Sequence, residues 1–514
     1  MMATTSLPPG PRLPRAVQAG LMFTCGPRFI AACRRRYGPS FTLRVATMGT
    51  MVYLTDPADI KTVFAGDART FHAGEANSIL TGLLGESSVL VVDEDAHRDR
   101  RRLMLAPFAR DAVAAQVPLI AQIAADNIAT WPVGRTFPVA PRMSEITLEV
   151  ILRTVIGASD PVRLAALREV MPRVLNLGPW QSLAIADPDL LRRRPWRRMR
   201  EAIAEADRLL YAEIADHRAD PGLAERSDAL AMLVRAGGMS DQELRDQLIT
   251  LLAAGHDTTA TGLSWALERL TRTPHVLAEA VRAARDGDDD YLDAVVRETL
   301  RIRPVVFDVG RVLTEPVELA GRLLPAGVMA VPGMVWVHTD PQHYPDPQRF
   351  DPRRMLGASL SPSTYLPFGG GNRRCLGATF AMVEFRVVLA EILRRVELET
   401  TTSRGERRRL RHVIFVPHRG ARIRVRTRRA TPGGSTGVYR GAQGCPAADA
   451  IEPRATTAGT LSTHKDVLME SSELFSHRQA PQVAAPSSSS DEPVQAPVFS
   501  DLPSKNRPAD SPHR

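Results

Sequence analysis

Along most of the first 430 residues apolar positions recur every three or four, and the spacing predicts helices near 111–130, 143–156, 199–217, 240–272, 276–285, 290–301 and 377–395. Ser240-Asp241-Gln242-Glu243 reads as a capping box opening the longest of them, and Asp286-Gly287-Asp288 divides two later ones. Alternation replaces the helical period in three places. Residues 41–54 predict a strand pair meeting at Met48-Gly49-Thr50 and ending at Asp56-Pro57, a helix cap followed by proline in the first turn. Residues 309–336 carry short Val/Leu runs punctuated by Pro316, Gly321, Pro325, Gly327 and Pro332, the pattern of short strands and turns. Residues 414–425 alternate again and predict a C-terminal hairpin. The expected fold class is mostly α with small β-sheets (α+β), in one large domain over 1–430.

Composition supports a large core and then marks where packing stops. With 44% hydrophobic and 24% charged residues the chain lies outside disordered and collagen-like compositions. Beyond Ala430 it turns to Ser, Pro, Ala, Gly and Thr, so 431–514 is expected to be a low-complexity tail that does not pack. Residues 16–33 read as an amphipathic helix. Gln18, Pro27 and Arg28 interrupt it, so no window reaches the ~18 apolar residues of a membrane span and no transmembrane anchor is expected. The net charge of +9 suggests nucleic acid until it is located, because 404–429 holds eleven arginines against Glu406 alone. The rest is near neutral, and a nucleic-acid partner is not expected. Four scattered cysteines (Cys25, Cys33, Cys375, Cys445) do not make a disulfide scaffold and fit a reducing, cytoplasmic setting.

The candidate chemistry centres on Phe368-Gly369-Gly370-Gly371-Asn372-Arg373-Arg374-Cys375-Leu376-Gly377. It puts a cysteine at the end of a glycine-rich loop and the mouth of the 377–395 helix. Glycines let a backbone turn tightly and approach a flat ligand, while loop and helix-start amides favour thiolate over thiol. An axial iron ligand needs such an environment. The decapeptide resembles the haem-binding signature F-x-x-G-x-R-x-C-x-G of the cytochrome P-450 monooxygenases, with Phe368, Gly371, Arg373, Cys375 and Gly377 at its fixed positions. The resemblance implies a b-type haem (iron protoporphyrin IX) whose iron is held by the Cys375 thiolate.

Three further elements resemble that family. Glu298-Thr299-Leu300-Arg301, with Asp351-Pro352-Arg353-Arg354-Met355 after it, is similar to the glutamate–arginine–arginine triad. It implies that Glu298, Arg301 and Arg354 form a buried network fixing the cysteine loop. Ala254-Gly255-His256-Asp257-Thr258-Thr259 lies inside the longest helix. There Gly255 and Ala254 are expected to leave a gap for a flat cofactor or diatomic ligand, and Thr258 to bond back to a carbonyl four residues earlier. The resemblance gives Asp257 and Thr258 the delivery of protons to bound dioxygen. His256, about 200° round the helix from Thr258 at ~3.6 residues per turn, is expected to point away. His97 and Arg101, four apart after a mobile-looking segment 82–86, together with Arg311 and Arg373, would clamp the haem propionates.

These elements occur in the family's order over residues 5–428. They imply a monooxygenase acting on a small apolar substrate and O2, drawing electrons from a separate ferredoxin and ferredoxin reductase or equivalent donors, and working as a monomer. Substrate contacts are expected from 71–92, from the 247–255 helix face and from 305–309. Arg373, Arg374, Arg394 and Arg395 are candidates for steering an acidic donor, and 192–198 for touching acidic lipid. Two rival readings stand beside it. A haem-thiolate peroxygenase or isomerase often lacks the acid–alcohol pair present here, and a non-catalytic haem sensor needs a signalling domain for which the tail offers no pattern.

Overall fold

The computed structural model describes residues 6–429 apart from 47, 176–195, 307 and 412. The expected tail 431–514 with Cys445, and most of the arginine-rich stretch 192–198, lie outside the described residues. Helices dominate, as the periodicity requires. The longest, Asp241–Leu270, opens with the capping box: Ser240 Oγ accepts from the Glu243 amide at 3.2 Å, and Glu243 returns a carboxylate to the Ser240 amide at 2.8 Å. Its N-terminal half packs through Leu244, Leu248 and Leu252 into one apolar core, and its C-terminal half through Ala260, Leu263, Leu267 and Leu270 into a second. Between these anchors burial breaks, and Ala254 is exposed in the middle of a core helix. That gap in the packing falls where the sequence places the expected opening for a ligand.

Around this helix pack Ala140–Thr154, Asp289–Ile302 and Ala378–Arg395, the last carrying the cysteine motif at its start. The expected 111–130 helix is two, Arg110–Ala115 and Val117–Ile128, because Pro118 restarts the helix at its first turn. The 16–33 stretch is helical over Arg15–Tyr37, with non-helical backbone at Cys25 two residues before Pro27.

The strand pair Ser40–Val45 and Gly49–Leu54 is antiparallel, Phe41 opposite Tyr53, and ends at Asp56, whose carboxylate accepts from the Ala58 amide at 2.8 Å to start helix Pro57–Ala65. Gly49–Leu54 then runs parallel to Met329–Pro332, and Arg311–Leu313 and Phe71–His72 complete a five-stranded sheet. The expected C-terminal hairpin does not form. Ile414–Pro417 pairs with Arg408–Arg411, while Arg422–Arg428 pairs with Thr136–Pro138 and Val396–Leu398 in another sheet. The reason is local. Buried Glu406 accepts the amides of Arg419 and Arg422 at 2.8 and 2.9 Å, which turns the chain away before the two strands can pair. Among the described residues no helix is long and apolar enough to cross a membrane.

Candidate active site

The cysteine loop is built by backbone closure. The Cys375 amide donates to Phe368 O at 2.9 Å, and the Arg374 amide to Gly371 O at 3.0 Å. Gly371 has φ +66°, and a Cβ there would lie 1.8 Å from Phe64 O, so only glycine lets the loop rest on helix Pro57–Ala65. Gly377 caps helix Ala378–Arg395, and its amide donates to the Cys375 sulfur.

Cys375 is unpaired, and its residue is accessible although atoms crowd round the sulfur. Burial raises its thiol, and the Gly377 amide and the charges of Arg101 and Arg374 do not offset that. The Gly377 amide acts in the expected direction, toward the thiolate, but desolvation is larger here than hydrogen bonding. A bound metal ion deprotonates such a thiol.

The loop is tied to the core by a buried chain of contacts. Glu298 and Arg301, both without exposure, form a two-point pair at 2.7 and 2.8 Å. Arg301 also donates to His338 O at 2.7 Å and lies over the Tyr344 ring at 4.9 Å. His338 Nε2 accepts from the Leu366 amide at 2.7 Å, two residues before Phe368. Arg354 Nε sits 3.2 Å from Glu298 Oε1 at an angle too poor for a hydrogen bond, and its Nη1 donates to Pro345 O. Arg353 turns outward to Glu279. His338 escaped the sequence reading because a single histidine in an irregular stretch carries no periodic signal.

A second group gathers on helix Glu94–Leu103. His97 is buried, and burial with the charges of Arg373, Arg101 and Arg311 lowers it to about 3, so its imidazole stays neutral. Arg101 donates to Arg374 O at 2.7 Å. Arg373 donates to Val89 O at 3.1 Å and pairs with Asp93 at 2.5 Å. Burial lowers both Arg311 and Arg373 to about 10. Asp93, missed in the sequence, is the hub: its carboxylate also accepts the amides of Ala73, Gly74 and Glu75 at 2.8–2.9 Å. Arg373, Arg311 and His97 thus lie about Asp93, with Arg101 beside His97. That surplus of donors suits a pair of carboxylates, and the soft sulfur of the accessible residue Cys375 suits iron, so the residues present fit a haem.

The long helix supplies the remaining candidates. Thr258 Oγ1 donates to Ala254 O at 2.6 Å, the expected back-bond, and Asp257 pairs with Arg411. His256 points away, as expected, with Nδ1 3.0 Å from Thr147 Oγ1. Gly255 departs from expectation. A Cβ on it would meet Ile151 Cδ1 at 2.6 Å, so its smallness serves the approach of helix Ala140–Thr154, and the open position is Ala254 alone.

The residues just after the segment read as mobile are latched to the long helix. Asp246 holds Ser87 through its amide and hydroxyl at 3.1 and 2.7 Å, Gln247 accepts the Val89 amide at 2.9 Å, and Thr250 meets Ser88 at 2.7 Å. Part of the expected apolar 247–255 face is therefore a polar fastening. The proposed basic steering surface also shrinks, because Arg394 and Arg395 pair with Glu391 and Arg373 is largely buried, leaving Arg374 exposed.

Comparison with known proteins agrees with this geometry. The family model described as Cytochrome P450 matches residues 8–424. A Mycobacterium tuberculosis protein named "Putative cytochrome P450 135B1" is 69% identical over 461 residues, covering 87% of this chain and 98% of its own. The 135A1 protein of the same organism is 40% identical, covering 82% and 96%. The solved structure of a retinoic acid bound cyanobacterial CYP120A1 superposes with a TM-score of 0.70 at 23% identity, covering 82% of this chain and 99% of that one.

Proposed function

Because the chain belongs to the cytochrome P450 family, whose members are haem-thiolate monooxygenases, we propose that Cys375 is its iron ligand and that residues 1–430 carry the whole reaction on a small, mainly apolar substrate. When bound, the haem supplies the oxidising chemistry: O2, two electrons and two protons give one oxygen atom inserted into substrate and one released as water. The observation that carries this reading is the accessible residue Cys375 beside a buried, donor-rich group of Arg101, Arg311, Arg373 and His97.

The chain's own residues divide the remaining work. Cys375 holds the metal at a loop whose geometry Gly371 and the Phe368 carbonyl fix. His97, Arg101, Arg311 and Arg373 hold the two propionates, with Asp93 keeping Arg373 in place. Glu298, Arg301 and Arg354 act at a distance, through His338, as the frame of the loop. Ala254 would leave room beside the bound group, and Thr258 and Asp257 would hold the protons delivered there. For Thr258 to turn its hydroxyl inward it must release Ala254 O, and for Asp257 to exchange protons it must loosen from Arg411. Electrons come from separate donors of the ferredoxin type, and the three described cysteines, all unpaired, favour a cytoplasmic setting.

The test is a spectral titration of purified, haem-loaded protein with a lipid, sterol and terpenoid library, followed by turnover with surrogate ferredoxin and reductase. Displacement of iron-bound water shifts the Soret band for ligands that enter. Oxygenated product from such ligands supports the reading, and none from any of them contradicts it.

A further inference from the structure

The arginine-rich stretch 404–429 takes no part in the haem site apart from Arg411, yet one of its members joins a second group of cations. Three elements meet there. Arg269 and Arg272 stand at and just beyond the C-terminus of the long helix, Arg303 directly follows helix Asp289–Ile302, and Arg408 opens strand Arg408–Arg411. Arg303 Nη1 and Arg408 Nη2 both donate to one acceptor, the Ile302 carbonyl, at 3.0 and 2.6 Å. Two guanidiniums thus meet at a single neutral oxygen.

The acid whose charge reaches Arg303 is Glu268, and its acceptors are already occupied. Wholly buried, Glu268 accepts from Arg269 Nε and Nη2 at 2.5 and 2.7 Å and from the Glu406 amide at 2.8 Å, while Arg272 Nε lies 3.2 Å away. Glu406 is spent on the Arg419 and Arg422 amides. Among the described residues no carboxylate lies within ion-pair distance of Arg303 or Arg408. Each rests on a ring instead, Arg303 over Trp265 at 5.3 Å and Arg408 over Phe415 at 5.9 Å. Arg303 Nε is buried and has no acceptor, a costly state for a donor on a charged group. Burial, with the charges of Arg269 and Arg408, lowers Arg303 to about 9, and burial with the charge of Arg269 lowers Arg408 to about 10. Both remain cations at neutral pH, so the surplus of positive charge stands.

We propose that Arg303 and Arg408 form a binding site for a phosphate-type oxyanion, supplied either as the free ion or as the phosphate group of a small molecule. The chemistry follows from the count of charges and donors. One carbonyl cannot take the donors that two guanidinium forks present, whereas the oxygens of a phosphate accept such forks two N–H groups at a time. A phosphate monoester carries close to two negative charges near neutral pH, enough to neutralise both arginines, and a lone carboxylate carries one. Both arginine side chains are partly accessible, so the ion reaches them from solvent. Bound there, it ties the end of the long helix to the chain that leaves helix Asp289–Ile302 and to strand Arg408–Arg411. This site goes beyond the haem-thiolate reading and stands without it.

The experiment is calorimetric titration of the haem-loaded full chain at constant ionic strength with inorganic phosphate, adenosine 5′-monophosphate, acetate and chloride. Saturable binding of one phosphate per chain is expected, with acetate at least roughly tenfold weaker. Arg303→Gln and Arg408→Gln each weaken phosphate roughly tenfold, and Arg408→Lys, which keeps the charge and loses the fork, weakens it by a smaller factor. Arg426→Gln, which removes an exposed arginine of the same stretch paired with Glu397, leaves binding unchanged. Tighter binding of the nucleotide than of phosphate assigns the site to a phosphorylated small molecule, and equal binding assigns it to the free ion. No saturable heat from either, acetate or chloride binding as well as phosphate, or full affinity in both Gln variants overturns the site. The carbon monoxide spectrum and haem content of each variant identify the folded protein on which affinity is read, and the wild-type stoichiometry and selectivity test the site without any variant.

Discussion

His338 Nε2 accepts the Leu366 backbone hydrogen at 2.7 Å while the carbonyl of the same histidine accepts from Arg301 at 2.7 Å, so one residue couples the Glu298–Arg301 pair to the loop of Cys375. Because Nε2 is the acceptor, the ring proton sits on Nδ1, which has no partner and is buried. His338→Leu leaves the Leu366 amide unsatisfied in the core, at a cost of about 1–3 kcal/mol. Lower haem content and a lower Tm are expected together. Unchanged haem retention would show that the loop stands without this link.

Glu298 and Arg354 separate in the same kind of experiment. Glu298→Gln strands the buried Arg301 guanidinium and is expected to cost about 3–5 kcal/mol. Arg354 keeps a poorly angled contact and some exposure, so Arg354→Gln costs about 1 kcal/mol. Denaturant unfolding of the two variants measures the difference, and equal losses would contradict the ranking.

The helices and strands were legible because their signals are periodic, and the cysteine loop because its spacing is fixed. What stayed illegible depends on partners remote in sequence. Gly255 reads as a gap for a ligand until Ile151 is seen against it. The alternating residues 414–425 read as a hairpin until Glu406 is seen taking the Arg419 and Arg422 amides. Segment 82–86 reads as mobile, yet Asp246, Gln247 and Thr250 on the long helix hold the residues just after it. Asp93 and His338 are single polar residues whose roles consist of hydrogen bonds across the fold.

The glycine assignment has its own test. Gly255→Ala improves helix propensity by about 1 kcal/mol yet pushes against Ile151. The variant is expected to gain little stability alone and to gain more on Ile151→Val, and a thermal double-mutant cycle reads that coupling. Additive effects would free the glycine from this contact.

Acid should weaken the fold through His97 and His338. Each is held at about 3 by burial against an ordinary 6.5, so between those values the unfolded chain binds protons that the folded one refuses. Stability therefore declines as pH falls below 6.5 and is steady above it. His97→Asn should flatten the slope of Tm against pH by about one proton; an unaltered slope would remove His97 from the titration.

Thr258→Ala should keep haem and substrate binding but raise NADPH oxidised per product formed. Arg411→Gln, which releases Asp257, should alter the solvent isotope effect on product formation. Full coupling in the first variant would take Thr258 out of proton delivery.

The bond from the Cys375 sulfur to iron is probed most directly by the absorption spectrum of the reduced, purified protein under carbon monoxide. The spectrum of a thiolate-ligated haem is expected for wild type, with its loss in Cys375→Ser. A histidine-type spectrum in wild type, or a thiolate-type spectrum that survives Cys375→Ser, would contradict the assignment.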